Sequence, residues 1–62
     1  MHNMAKRYIQ RRQGSELETV DEFEFNTREE RKYAKDMLSE YQMSDPTAEH
    51  YLSTRPCKDW NE

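Results

Sequence analysis

The sequence predicts an α+β fold in which one helix packs on one face of a three-stranded antiparallel sheet. Three observations predict it: a capped amphipathic segment over residues 27–43, a lone glycine between a basic and an acidic β-like run, and a further β-like run after Asp45-Pro46. With 62 residues, the chain forms one domain close to the lower size limit for folding without a disulfide or a metal. The element order is ββαβ, and a right-handed return of the third strand beside the first gives the strand order 2-1-3.

Segment 27–43 carries its own helix start signal. Thr27, followed three residues later by Glu30, forms a capping box in which each side chain accepts from a backbone N–H at the helix start. At about 100° per residue, one apolar face collects Tyr33, Ala34, Met37, Leu38 and Tyr41. We expect this face to supply much of the core. The helix should end by Ser44, because Pro46 lacks the amide donor that a helix needs.

Residues 6–25 predict a β-hairpin. Gly14-Ser15 is the predicted loop, because glycine adopts positive φ at low cost. The run before this loop is basic and the run after it is acidic, so opposite charges would face each other across the two strands.

The register of this hairpin depends on the loop length. A two-residue loop makes three cross-strand pairs: Ile9 with Val20, Arg11 with Glu18, and Arg7 with Glu22. A longer loop shifts the register by one residue. Asp21 interrupts the apolar stripe, and a bulge near it would bring Val20 onto the face of Phe23 and Phe25.

Residues 48–55 predict the third strand, which Pro56 ends. Residues 56–62 form a tail that contains Trp60, and residues 1–5 are expected to be a disordered N-terminus. The core is expected to consist mainly of Val20, Phe23, Phe25, Tyr33, Met37, Leu38, Tyr41 and Leu52.

Composition excludes several classes of function. The net charge is only −3 with both signs abundant, so the whole chain is not a polyelectrolyte that targets nucleic acid or membranes. Cys57 is the only cysteine, which excludes an internal disulfide and fits a reducing compartment. No apolar run has the length of a signal peptide or a membrane span, so a cytoplasmic protein without membrane contact is expected.

The sequence predicts neither an enzyme nor a cofactor or metal site. The candidates for a nucleophile and a base are Cys57 with His50 or His2, and their spacing does not suggest that they meet. One cysteine and two histidines are too few for a typical zinc site, and one glycine cannot make a Gly-rich phosphate loop.

Four basic residues of the helix follow i, i+3, i+4, i+7 spacing and form one contiguous stripe, called here the basic stripe: Arg28, Arg31, Lys32 and Lys35. It can dock on phosphates or on an acidic protein patch. Alternatively, it is a solvated helix face, partly neutralised by an ion pair between Lys32 and Asp36.

The sheet face opposite the helix is a second candidate surface. One helix covers one side only, so the other side should carry either Tyr8 or Ile9, and either Tyr51 or Leu52. Trp60 either wraps around an edge and closes the core, which we favour, or stands out as an exposed anchor for a partner.

Two runs of the chain carry a resemblance to a known group. Residues Met37–Pro46 (MLSEYQMSDP) and Tyr51–Trp60 (YLSTRPCKDW) resemble small proteins of unassigned function encoded by tailed phages and prophages. The resemblance spans roughly Tyr8 to Trp60 and implies a phage or mobile-element origin. It also implies a protein that binds and retunes a host protein such as a polymerase, nuclease or protease. The layout is similar to that of phage inhibitors of bacterial RNA polymerase.

The leading hypothesis is a non-enzymatic module that binds a host or viral protein. The alternative is a nucleic-acid-binding module that uses the basic stripe, an arrangement similar in layout to the DNA-binding arms of phage recombination proteins. A homodimer is a further possibility, because a core this thin can gain stability by pairing sheet edges or faces.

Overall fold

The computed structural model describes residues 5–60 and has the predicted element order. Within that range lie strands β1 (Lys6–Gln13) and β2 (Glu16–Glu24), helix α1 (Arg28–Ser44) and strand β3 (Glu49–Ser53). Strand β1 is central, the sheet order is β2-β1-β3, and both neighbouring pairs are antiparallel. The predicted fold class and strand order are confirmed.

The capping box starts α1 as the sequence predicts. The backbone N–H of Glu30 donates to Thr27 Oγ1 at 3.1 Å, and the Thr27 N–H donates to Glu30 Oε1 at 3.0 Å. Thr27 itself has extended backbone angles, so the helix begins at Arg28, one residue later than predicted. It ends at Ser44, where the N–H of Asp45 closes the last turn on the Tyr41 carbonyl.

The hairpin loop is the predicted two-residue loop. Gly14 has a φ of 61°, the left-handed conformation that favours glycine. Gln13 pairs with Glu16 on either side of this loop, and the predicted pair of Arg11 with Glu18 is confirmed. Their side chains lie 3.7 Å apart.

A β-bulge at Val20 changes the register in the second half of the hairpin. Beyond it Ile9 pairs with Asp21 and Arg7 with Phe23, so Val20 is the extra residue of β2. The bulge that the sequence suggested near Asp21 is therefore confirmed. Two predicted pairs are wrong: Ile9 with Val20, and Arg7 with Glu22. An uninterrupted ladder would place Val20 beside Ile9 but Phe23 and Phe25 on the opposite face, whereas the bulge brings both phenylalanines onto the face of Ile9 and Val20.

The core lies between α1 and the sheet face that carries Ile9, called here the helix face. Ile9, Phe23 and Ala34 are buried at its centre. Around them pack six partly buried side chains: Val20, Phe25, Met37, Leu38, Tyr41 and Leu52. Asp21 also lies on this face, where its Oδ2 accepts a 2.8 Å hydrogen bond from the Tyr41 hydroxyl. This bond raises the pKa of Tyr41 to about 12.

The prediction that Tyr33 is a core residue is wrong, since 58% of it is exposed. It lies at the margin of the apolar arc of α1, on the side where β2 ends the sheet. The side chain contacts Phe23, and beyond β2 no further strand among residues 5–60 covers it.

The opposite sheet face carries Tyr8 and Tyr51, as one of the two predicted registers requires. The expectation that this face stays uncovered is wrong, because Tyr8 and its neighbour Gln10 are both buried. The segment Arg55–Trp60 lies across it, so this surface is called here the tail face.

Polar contacts at both ends hold the tail on the sheet. The N–H of Cys57 donates to Thr19 Oγ1 at 2.8 Å, and Gln10 Nε2 donates to the Arg55 carbonyl at 3.3 Å. Trp60 Nε1 donates to Glu22 Oε1 at 3.0 Å. These contacts anchor both ends of the segment and leave Tyr8, whose cross-strand partner is Glu22, beneath it.

The chain termini agree only in part with the sequence predictions. The prediction of a disordered N-terminus over residues 1–5 is wrong at Ala5, whose carbonyl accepts from the Phe25 N–H at 2.8 Å and extends the β1–β2 ladder. The rest of that prediction, residues 1–4, lies outside the described residues, as does the tail beyond Trp60. The third strand is shorter than predicted, because β3 begins after the buried Ala48 and ends at Ser53.

A polar cluster ties the end of α1 to the sheet. Asp45 Oδ2 accepts from Arg11 Nε at 2.5 Å and lies 3.6 Å from Nε2 of the buried His50. Gln42 Oε1 accepts from the backbone N–H of His50 and lies 3.0 Å from its Nδ1. Arg11, with help from Thr47, holds the pKa of the Asp45 carboxyl below its usual value.

We expect the domain to lose stability on acidification through two carboxylates. The pKa of Asp45 is lowered chiefly by Arg11, and that of Glu22 by the Trp60 indole and Lys6. Since both folded-state pKa values lie below the unfolded ones, their contribution is complete above about pH 5 and is lost as the pH falls toward the folded values. Urea unfolding at several pH values should show this decline. Asp45→Asn and Glu22→Gln should each flatten it, and a profile that keeps its shape in both variants would contradict the role of these two carboxylates.

Candidate functional site

The structure brings the predicted basic stripe together on the outer side of α1. The four cations are exposed and line one open groove with Asp36. Lys32 Nζ forms the predicted i, i+4 ion pair with Asp36 at 3.0 Å, and Arg31 Nη1 donates to the Asn26 carbonyl at 3.2 Å. Half of the stripe is thus engaged within its own helix and cap.

Arg28 and Lys35 are the remaining half of the stripe. Neither forms an ion pair with any residue in the described range 5–60. They leave a locally positive groove that can attract phosphate or carboxylate groups, at the modest strength typical of exposed charges.

Trp60 lies apart from the basic stripe. It is half-buried on the tail face, whereas the stripe is on the far side of α1 from the sheet. The interpretation of Trp60 as an exposed anchor is therefore wrong, and the favoured interpretation holds in a modified form. The indole closes the second face of the sheet rather than the core beneath the helix.

A second groove, which the sequence did not predict, lies between the outer edge of β2 and the first turns of α1. It is called here the edge groove, has a volume of about 410 Å³, and is lined by Glu22, Phe23, Glu24, Glu29, Glu30 and Tyr33. The rings of Phe23 and Tyr33 meet edge to face, with centroids 5.7 Å apart and planes at 76°. An aromatic floor thus lies beside an open strand edge.

The edge groove is negatively charged. Three of its four glutamates have a polar partner: Glu22 has Lys6 at 2.9 Å, Glu30 has the helix cap, and Glu24 accepts from Asn26 Nδ2 at 3.3 Å. Glu24 and Glu29 are exposed and form no ion pair among the residues that the structure describes. Carboxylates beside an aromatic wall suit a ligand that is both cationic and apolar.

Signals for the edge groove were present in the sequence. The predicted strand order already placed the acidic strand at a sheet edge. Tyr33 lies at the margin of the helical apolar arc, next to Glu29 on the helix surface. The predicted burial of Tyr33 is incompatible with this surface, because a buried tyrosine cannot form part of a binding site.

The structure does not bring the candidate nucleophile and base together. Cys57 lies on the tail face, with its Sγ 3.8 Å from the Leu17 carbonyl. His50 lies on the helix face, buried against Gln42, so the sheet separates the two side chains. The other candidate base, His2, lies outside the described residues.

Within residues 5–60, no three His, Cys, Asp or Glu side chains are grouped so that they could hold a metal ion. In the same range the one helix is too short and too polar to cross a membrane. The chain matches no protein-family model, no curated protein and no solved structure.

Proposed function

We propose that the protein is a non-enzymatic interaction module that binds a protein partner through the edge groove. The observation that carries this proposal is the position of Tyr33, which is 58% exposed and stands against the buried ring of Phe23 beside an open strand edge. Tyrosine is among the residue types that dominate binding energy at protein interfaces, and a rigid aromatic neighbour lowers the entropy that it loses on binding.

Both faces of the sheet are covered, which leaves the edge of the sheet as the candidate binding surface. The helix face is buried under α1, and the tail face is crossed by Arg55–Trp60. The edge groove joins an exposed aromatic ring to two carboxylates that form no ion pair within residues 5–60 and to the outer edge of β2, on which no strand of that range pairs. These are the features of a surface that gains by meeting another protein.

The resemblance of residues 37–46 and 51–60 to small phage and prophage proteins supports a bacterial host protein as the partner. A reducing bacterial cytoplasm is the corresponding location, which agrees with a single cysteine in the whole sequence.

Replacing Tyr33 with alanine should weaken partner binding by about tenfold or more, the loss expected for a tyrosine hot spot. The measurement is saturable capture from bacterial lysate on the immobilised full chain, quantified over a series of lysate dilutions. Met43→Ala is the matched control, since Met43 is 69% exposed and lies on the same helix outside the groove. Circular dichroism of both variants checks that α1 is intact.

Equal capture by the Tyr33→Ala and Met43→Ala variants would place the binding surface elsewhere. If the wild-type chain captures nothing that saturates, the proposal of an interaction module is wrong.

A second candidate function is nucleic-acid binding through the basic stripe. What favours it is that the stripe lines a single groove in which Arg28 and Lys35 have no ion-pair partner among residues 5–60. Binding by phosphate contacts falls steeply with salt, and reversing two contacting charges should abolish it. The double variant Arg31→Glu/Lys35→Glu should therefore lose affinity for duplex and single-stranded probes, while Lys58→Glu retains it. Probes that show no shift at low salt exclude this function.

A further inference from the structure

We propose that the edge groove binds an extended basic segment of the partner, which adds to β2 as a fourth strand of the sheet. This inference rests on the proposed interaction module and specifies the chemistry of its partner. Its basis is the open backbone edge of β2, the charge of that strand and the aromatic floor of the groove.

The outer edge of β2 is open. β1 pairs with its inner edge, and among residues 5–60 no other strand lies on the outer side. The backbone groups that point outward can pair with an incoming strand, which is how sheet edges bind extended peptides. One of them is already engaged, since the Glu22 N–H is bonded to Asp21 Oδ1 at 2.8 Å beside the bulge. The ladder available beside the edge groove therefore lies between Glu22 and the end of β2 at Glu24, since the next outward N–H, that of Asn26, donates to Glu30 Oε1 at 2.8 Å.

The charge of β2 selects the class of segment. Five of its nine residues are acidic and none is basic. The strand that it already pairs with, β1, has four basic residues among eight and no acidic one. The pair of β1 and β2 is therefore already a cationic strand beside an anionic one, which is the pairing that we infer at the outer edge of β2.

The same charge argues against a second copy of this chain as the occupant. Pairing the β2 edges of two copies would bring two acidic strands side by side, and like charges facing each other across strands are destabilising. The other exposed edge strand, β3, contains an acidic residue and no Lys or Arg, so it does not supply the missing cations.

The two sides of the edge predict the sequence pattern of the segment. Glu22 and Glu24 project on the side of the tail face, whereas Phe23 projects on the side of α1 and Tyr33. A strand placed beside them alternates its side chains in the same way. We therefore expect Lys or Arg at every second position, opposite the glutamates, and an apolar side chain between them, seated against Phe23 and Tyr33.

The test titrates the isotope-labelled full chain with acetyl-KVKFKVK-amide. Expected are saturable shifts of backbone amides in residues 22–33. Two altered peptides separate the parts of the proposal: acetyl-EVEFEVE-amide reverses the charge, and a KVKFKVK peptide N-methylated at alternate amides cannot complete a strand ladder. Each should bind about tenfold more weakly or worse.

Matched charge reversals test the site on the protein. Glu24→Lys should weaken binding of the KVKFKVK peptide, whereas Glu40→Lys, at an exposed position of α1 outside the groove, should not. Glu29→Lys gives the same test from the helix side and does not depend on the folding of an altered strand.

The possible results distinguish strand addition to β2 from the proposed protein-binding function on which it rests. If Tyr33→Ala abolishes capture of the partner but no lysine peptide binds, the interaction module stands and strand addition is wrong. The charges of β2 then serve only to keep the edge from aggregating. Equal binding of the N-methylated peptide also overturns strand addition, and equal binding of the glutamate peptide overturns the charge selection.

Discussion

Replacing Ile9 with alanine is expected to remove most of the free energy of unfolding of the domain. Ile9 is fully inaccessible to solvent, lies in the central strand and contacts the core formed by Phe23 and Ala34. Truncating a buried isoleucine to alanine costs about 2–5 kcal/mol, while a single core of this size supplies about 3–5 kcal/mol in total. The core is one helix deep, so few neighbouring side chains can move in to fill the cavity.

Urea unfolding followed by circular dichroism measures this effect. Leu17→Ala is the matched control, because Leu17 is an aliphatic strand residue that is 47% exposed. Its replacement should change the free energy of unfolding by no more than about 0.5–1 kcal/mol. Similar midpoints for the two variants would contradict the assignment of Ile9 to the centre of the core.

The parts of the fold that were predicted correctly depend on local chemistry. The Thr27–Glu30 capping box and the 3.6-residue apolar period fix the start and the buried side of α1 with contacts between residues close in sequence. Gly14 fixes the loop in the same way. The strand order then follows from the right-handed return of the third strand beside the first, a preference that holds for any chain with this element order.

The parts that sequence reasoning missed depend on small or long-range energies. A bulge costs little, so the alternation of side chains shows a conflict at Asp21 without fixing where the extra residue lies. Val20 is that residue, since its apolar side chain gains by packing on the core while Asp21 finds the Tyr41 hydroxyl. The choice depends on contacts between β2 and α1, which no local pattern contains.

The two candidate surfaces show the same difference between local and long-range determinants. The basic stripe was predicted residue by residue, because helical spacing alone brings its members together. The edge groove requires knowing that Tyr33 overhangs the last strand of the sheet. That depends on the width of the sheet relative to the helix, and not on the sequence of either element.

The sequence did not predict that the segment Arg55–Trp60 covers the tail face. This covering leads to the second strong prediction. Replacing Gln10 with alanine should detach the segment Arg55–Trp60 and destabilise the domain by about 1–3 kcal/mol. The buried Gln10 amide accepts from the Thr19 hydroxyl and donates to the Arg55 carbonyl. Its removal leaves both groups without that partner and opens a void above the sheet. Detachment then exposes Tyr8, whose burial contributes a further part of the stability.

Gln13→Ala separates this effect from a general loss of strand propensity. Gln13 is at the exposed end of the same strand, where its amide contacts Arg11 and Thr47 in solvent, so its replacement should cost about 0.5 kcal/mol or less. Trp60 fluorescence should shift toward that of a solvated indole in Gln10→Ala only, and amide exchange at Cys57 should accelerate, since its N–H bonds to Thr19. If the spectrum and exchange rates of Gln10→Ala match those of Gln13→Ala, the Cys57–Thr19 and Trp60–Glu22 contacts hold the tail without Gln10. The polar bridge at Gln10 would then be incidental to the covering of the tail face.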